Sequence, residues 1–120
     1  MSTRDPNLTL MIQRRADISI IEFLDTNVTN PVTIERIKQE LEDHIQRVGH
    51  PKLIVSFENV THLSSAMIGV LMALHKQIAK LKGGLRLAQV SPMIHEVLKI
   101  TKLDKILKIY DTTEHALVKF

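Results

Sequence analysis

Apolar and polar positions along this chain switch repeatedly between a period of two and a period of three to four. Leu8-Thr-Leu-Met-Ile-Gln13 partly alternates and predicts a first strand, Arg14–Asp17 is a polar break, and Ile18-Ser-Ile-Ile-Glu-Phe-Leu24 predicts a second. The short connection favours an antiparallel hairpin. Asp25–Asn30 is rich in turn formers, and Asn30 before Pro31 reads as an N-cap with a first-turn proline. Ile34, Ile37, Leu41, Ile45 and Val48 then mark one face of a helix that Gly49 stops. Leu53-Ile-Val55 is a continuous apolar run within a strand at about residues 52–57, as expected of a strand covered on both faces. Met67, Val70, Leu71, Leu74, Ile78 and Leu81 trace a second helix, stopped by Lys82-Gly-Gly84. Leu85–Gln89 alternates as a fourth strand. Ser91-Pro92 repeats the cap-plus-proline signature before a third helix marked by Ile94, Val97 and Leu98. After a Thr101–Asp104 connection, Ile106–Tyr110 predicts a fifth strand, and Asp111 with Glu114 resembles a capping box opening a short last helix.

The order β-β-α-β-α-β-α-β-α predicts an α/β fold: a single domain over residues 1–120, with a mixed, mostly parallel sheet, an N-terminal hairpin and about four helices. Ligands and partners of such open sheets meet the carboxyl ends of the strands. Asp25 and Ser64 both follow strand ends, so they are expected to be neighbours on that rim.

Composition narrows the function classes. The chain has no cysteine, which excludes disulfide and thiolate chemistry. Net charge is +3, and the lysines at 76, 80, 82, 99, 102, 105 and 108 are spread over several segments, which reads as a solvated basic face. The four aromatics, Phe23, Phe57, Tyr110 and Phe120, are too few for a base-stacking platform, so no nucleic acid is expected. No apolar run approaches a membrane span, and Met1-Ser-Thr-Arg-Asp-Pro-Asn7 has no apolar stretch like that of a secretory leader; the expected location is cytoplasmic.

Candidate chemistry converges on one junction. His44, His50, His62, His75, His95 and His115 are scattered and none forms a His-Glu-x-x-His pair, so no metal and no cofactor are expected and the histidines read as surface or half-buried. His62 and Ser64 lie two apart, but there is no Gly-x-Ser-x-Gly elbow and no identifiable orienting carboxylate, so the chain reads as no enzyme. Gly83-Gly84 follows a helix and precedes a strand, the reverse of a phosphate-cradling loop. Ser64 and Ser65 stand where a buried strand hands over to a helix, among unpaired N–H groups at the positive end of a helix dipole. A serine there caps the helix or accepts a phosphate, and the two roles are compatible. Met67, in the first turn after the serines, is a candidate for an exposed, adaptable contact.

The segment Phe57-Glu-Asn-Val-Thr-His-Leu-Ser-Ser-Ala-Met-Ile-Gly-Val-Leu71 resembles the central motif of STAS domains, the sulfate-transporter and anti-sigma-factor-antagonist family. The resemblance continues through Lys82-Gly-Gly-Leu-Arg-Leu-Ala88, the stretch from Val90, and Phe23-Leu-Asp-Thr26. It implies a regulatory binding protein whose Ser64, with Ser65 the lesser candidate, is phosphorylated by an anti-sigma factor that is also a serine kinase and reset by a phosphatase. The implied partner surface is Asp25, Thr26, His62, Leu63, Ser64, Ser65, Ala66 and Met67. Leu63 stands where the family's Asp is usual and Ala66 where its Gly is usual. A constitutive accessory subunit of a lipid-transport ATPase complex and a carrier of a small apolar ligand are the alternatives within the same fold.

Overall fold

The computed structural model describes residues 9–120. The N-terminal heptapeptide and the expected strand start at Leu8 lie outside the described residues. Strands β1 (Leu10–Arg15) and β2 (Ile18–Phe23) form the antiparallel hairpin, with Arg15 opposite Ile18. The polar break is therefore shorter than its composition suggests. Arg14 and Arg15 stay in the strand, and only Ala16 and Asp17 turn, Ala16 adopting a left-handed φ of 55°.

The chain continues through β3 (Asn27–Val28), α1 (Pro31–Val48), β4 (Lys52–Ser56), β5 (His62–Leu63), α2 (Ser65–Lys80), β6 (Gly84–Ala88), α3 (Pro92–Ile100), a 3-10 turn (Leu103–Lys105), β7 (Lys108–Tyr110) and α4 (Thr113–Leu117). The main sheet has the order β1-β2-β4-β6-β7 and is parallel from β2 onward. Both proline-led helices start as their caps dictate. Asn30 Oδ1 accepts from the amides of Val32 (2.9 Å) and Thr33 (3.3 Å), and Ser91 Oγ from that of Ile94 (3.3 Å). Gly49, at φ 73°, ends α1 in a conformation that costs a residue with a Cβ. At Gly83 the constraint is space: a Cβ would sit 1.9 Å from the Pro51 carbonyl oxygen.

Period two in the central strands is resolved by burial on both faces. Ile21, Phe23, Leu53, Val55, Leu85 and Leu87 pack with α1, α2 and α3 into the larger core. Ile20, Ile54 and Ala88 point the other way, into a smaller core closed by Ala116 and Leu117 of α4. Hence Leu53-Ile-Val55 is apolar without alternation.

Three expectations are corrected. Thr112, not Asp111, caps α4, its Oγ1 accepting from the His115 amide at 3.1 Å, while Glu114 reaches out to Arg15 at 3.5 Å instead of back to the cap. The last strand starts at Lys108 because Lys102 turns left-handed (φ 63°) and the following residues wind into the 3-10 turn, leaving Ile106 exposed. The Asp25–Asn30 stretch holds a short strand, β3, where the sequence reads only as loop.

Candidate functional site

Ser64 is the N-cap of α2, with extended φ and ψ of −87° and 162°. Its carbonyl accepts the amides of Met67 (3.1 Å) and Ile68 (3.2 Å). Its Oγ accepts from the Met67 amide at 3.4 Å, against 2.9 Å for the closest contact of the Asn30 cap. That is a long hydrogen bond. The hydroxyl is thus held beside the outward first-turn amides of Ser65 and Ala66 that no helix carbonyl can reach. Ser64 is half-buried, and Ser65 and Ala66 are exposed.

What places Ser64 is a two-stranded parallel ribbon, β3 with β5, outside the main sheet. Asn27 pairs with His62 and Val28 with Leu63. The Thr26 carbonyl accepts from the amides of Thr61 (2.7 Å) and His62 (3.3 Å), and the Val28 carbonyl from the amide of Ser64 (3.1 Å). Val28 is fully buried beneath the ribbon. The loop carrying exposed Asp25 and Thr26 is therefore stitched to the segment carrying His62, Leu63 and Ser64, on the strand-carboxyl rim. From Ser65 the rim runs into a groove between α1 and α2, lined by Pro31, Ile34 and Glu35 on one side and Ala66, Gly69 and Ala73 on the other.

One expected surface residue is not there. Met67 is 0% exposed and joins Leu71 and Leu74 in the larger core, because the helical stripe that includes it faces the sheet. His62 is exposed, and its Nδ1 lies 3.0 Å from Thr61 Oγ1, so the ring bonds its neighbour and not Ser64. Among the described residues no group of three or more His, Asp or Glu could hold a metal ion.

Of the six histidines, His44 departs from the expected surface or half-buried setting. It is 7% exposed, with Nε2 2.7 Å from Ser19 Oγ. Burial first, then the nearby Arg14 and Arg47, hold its pKa below the ordinary imidazole value. The sequence carries one signal of this: His44 sits three residues after Leu41 and beside Ile45, inside the apolar stripe.

Comparison with known proteins places this geometry in a lineage. The STAS domain profile matches residues 16–116. The anti-sigma F factor antagonist of Paenibacillus polymyxa is 28% identical over 87 residues, 72% of this chain and 74% of that protein. The anti-sigma-factor antagonist (STAS) domain protein of Planctomyces limnophilus superposes with a TM-score of 0.82 at 25% identity, covering 91% of this chain and 95% of that one. The Bacillus cell fate determinant SpoIIAA in its phosphorylated form shares the fold, with a TM-score of 0.70 at 16% identity over 90% of this chain and 96% of that one. The first two are antagonists by name, and the non-enzymatic reading of this chain stands with them. Fold, profile and relatives agree that the chain belongs to the STAS domain family, with anti-sigma factor antagonists among its relatives.

Proposed function

We propose that this chain is a cytoplasmic partner-switching regulator: a binding protein for an anti-sigma factor with serine kinase activity, turned off by phosphorylation of Ser64 and restored by a phosphatase. The observation that carries this reading is the β3–β5 ribbon, which fixes the Asp25–Thr26 loop beside a half-buried Ser64 hydroxyl at the start of α2. The partner surface comprises Asp25, Thr26, His62, Leu63, Ser64, Ser65 and Ala66. It is also supported by kinship with an anti-sigma F factor antagonist and with a fold relative whose phosphorylated form has been solved.

The electrostatics give the switch its sign. Residues 53–75 contain no Lys or Arg, and Asp25 and Glu58 are exposed. A phosphate adds about −1.5 to −2 charges. On Ser64 it would meet acidic neighbours and helix amides but no arginine clamp from its own segment, so it repels an acidic contact more than it orders the loop. Leu63, where the family's Asp is usual, removes one negative charge from the unmodified state. The charge contrast between the two states is correspondingly cleaner.

The test is binding of the cognate anti-sigma factor by isothermal titration calorimetry. Ser64→Asp is expected to weaken binding at least tenfold while Ser64→Ala stays within twofold of the parent. Equal affinity for both variants would overturn the reading. Removing so long a cap should cost α2 only about 0.5–1 kcal/mol, so the alanine variant folds.

A further inference from the structure

Strand direction sorts the charges of this molecule by end. The loops at the carboxyl ends of the parallel strands, and the helix starts beside them, come from 24–35, 57–67, 89–96 and 111–113, and these stretches contain no Lys or Arg. Each of α1, α2 and α3 runs back to the opposite end, and on the α2 and α3 side of that end the cations collect. Between residues 76 and 108 there are eight Lys and Arg against two acids, Glu96 and Asp104. Lys80 and Lys82 close α2, Lys99 and Lys102 close α3, Lys105 ends the 3-10 turn and Lys108 opens β7. All six are exposed. The spread seen along the sequence is a gathering in space.

Aliphatic side chains stand among these lysines. Ile100 is 76% exposed, Ile106 45% and Leu81 38%. Ile106 and Lys108 line one recess with His75 and Ala79 of α2, which ties the end of α2 to the segment that precedes β7. We infer that this basic end is a second interaction surface, and that its partner is the anionic face of a phospholipid bilayer.

Three features select that partner. On the α2, α3 and β7 side of this end the exposed cations are lysines, point charges on flexible stems; Arg86 is taken up by the carbonyls of Ala116, Val118 and Lys119, and the exposed Arg14, Arg15 and Arg47 belong to the β1 and α1 side. The aromatic that lines the recess, Phe120, is half-buried with its ring covered by the Arg86 guanidinium, which leaves no free face to stack on bases. Protruding isoleucines ringed by lysines match an interface where aliphatic tips enter the headgroup boundary while ammonium groups stay at the phosphates. No described helix is long and apolar enough to cross a membrane, so the contact is adhesion. Its geometry points Ser64 away from the bilayer, leaving the rim open to a soluble partner.

The experiment is co-sedimentation of the full chain with vesicles of phosphatidylcholine alone and of phosphatidylcholine with 30% phosphatidylglycerol. Binding is expected only to the second, and is expected to vanish at high salt. Each lysine is worth about fivefold in partitioning, so a Lys99→Gln/Lys102→Gln/Lys105→Gln variant should lose about 100-fold. Ile100→Ser should weaken binding with no change in charge. Ser64→Asp should bind vesicles like the parent, which keeps this surface separable from the reading of Ser64. No sedimentation with phosphatidylglycerol vesicles at 50 mM salt, or equal sedimentation by the triple variant with its thermal melt unchanged, overturns the proposal. So does tighter binding to duplex DNA or to polyglutamate than to the vesicles, which would assign the basic end to nucleic acid or to an acidic protein.

Discussion

At the scale of single residues, His44 shows how a polar side chain is carried inside an apolar stripe. Arg14 donates to Ser19 Oγ at 3.1 Å, and the same Oγ shares a 2.7 Å hydrogen bond with His44 Nε2. A second proton on this imidazole would place a cation near two arginines in a site poor in water. The sign of the pH dependence follows. The unfolded chain takes up a proton near the ordinary imidazole value of 6.5, while the folded imidazole resists it. The unfolded state therefore binds more protons below that pH, and stability is full above it and falls as acid is added. Urea midpoints should be level above pH 7 and decline from about pH 6.5 towards 5. His44→Gln, which keeps a polar side chain facing Ser19, should flatten that decline. Asp17 acts in a lower window: its hydrogen bond from Lys52, 3.1 Å away, depresses its pKa below 3.8, so its small, solvent-screened contribution is lost only in stronger acid.

At the scale of elements, the rim around Ser64 depends on a ribbon of two residues on each side. Its hydrogen bonds make a prediction about amide exchange. The Ser64 amide, bound to the Val28 carbonyl, should exchange more slowly than the Ser65 amide one residue on, measured by NMR in deuterated buffer. Inverted protection would mean that the ribbon is open in solution and the Asp25 loop is free of the serine. The ribbon is also where the sequence is least legible. Helix starts at Asn30 and Ser91 and the stop at Gly49 are local chemistry, read from one to three adjacent residues. Asn27–Val28 and His62–Leu63 have no period to read, and their partner lies 35 positions away in the chain. Met67 is the opposite case. Its place in the apolar stripe with Val70, Leu71 and Leu74 already pointed inward, and burial in the core followed that period over its closeness to the serines. Ser64 itself was legible as a hydroxyl at a strand-to-helix handover. Its neighbours across the rim were legible only as loops after strand ends.

At the scale of the whole molecule, two unequal cores hold the sheet between three helices and one. The thin side is secured by Arg86, whose guanidinium donates to the carbonyls of Ala116, Val118 and Lys119 and stacks over the Phe120 ring at 4.3 Å. That clasp starts from the middle of β6 and closes on the last residues of the chain. Net charge alone, +3, describes a weakly repelling colloid. The sorting of charge by strand direction describes a dipole instead. At low ionic strength the lysine end of one copy attracts the acidic rim of the next, head to tail, and each such encounter hides a serine. Added salt, with a screening length of about 8 Å at 0.15 M, should therefore loosen the solution. The second virial coefficient from light scattering is expected to rise between 10 and 150 mM salt, where that of an evenly charged protein falls.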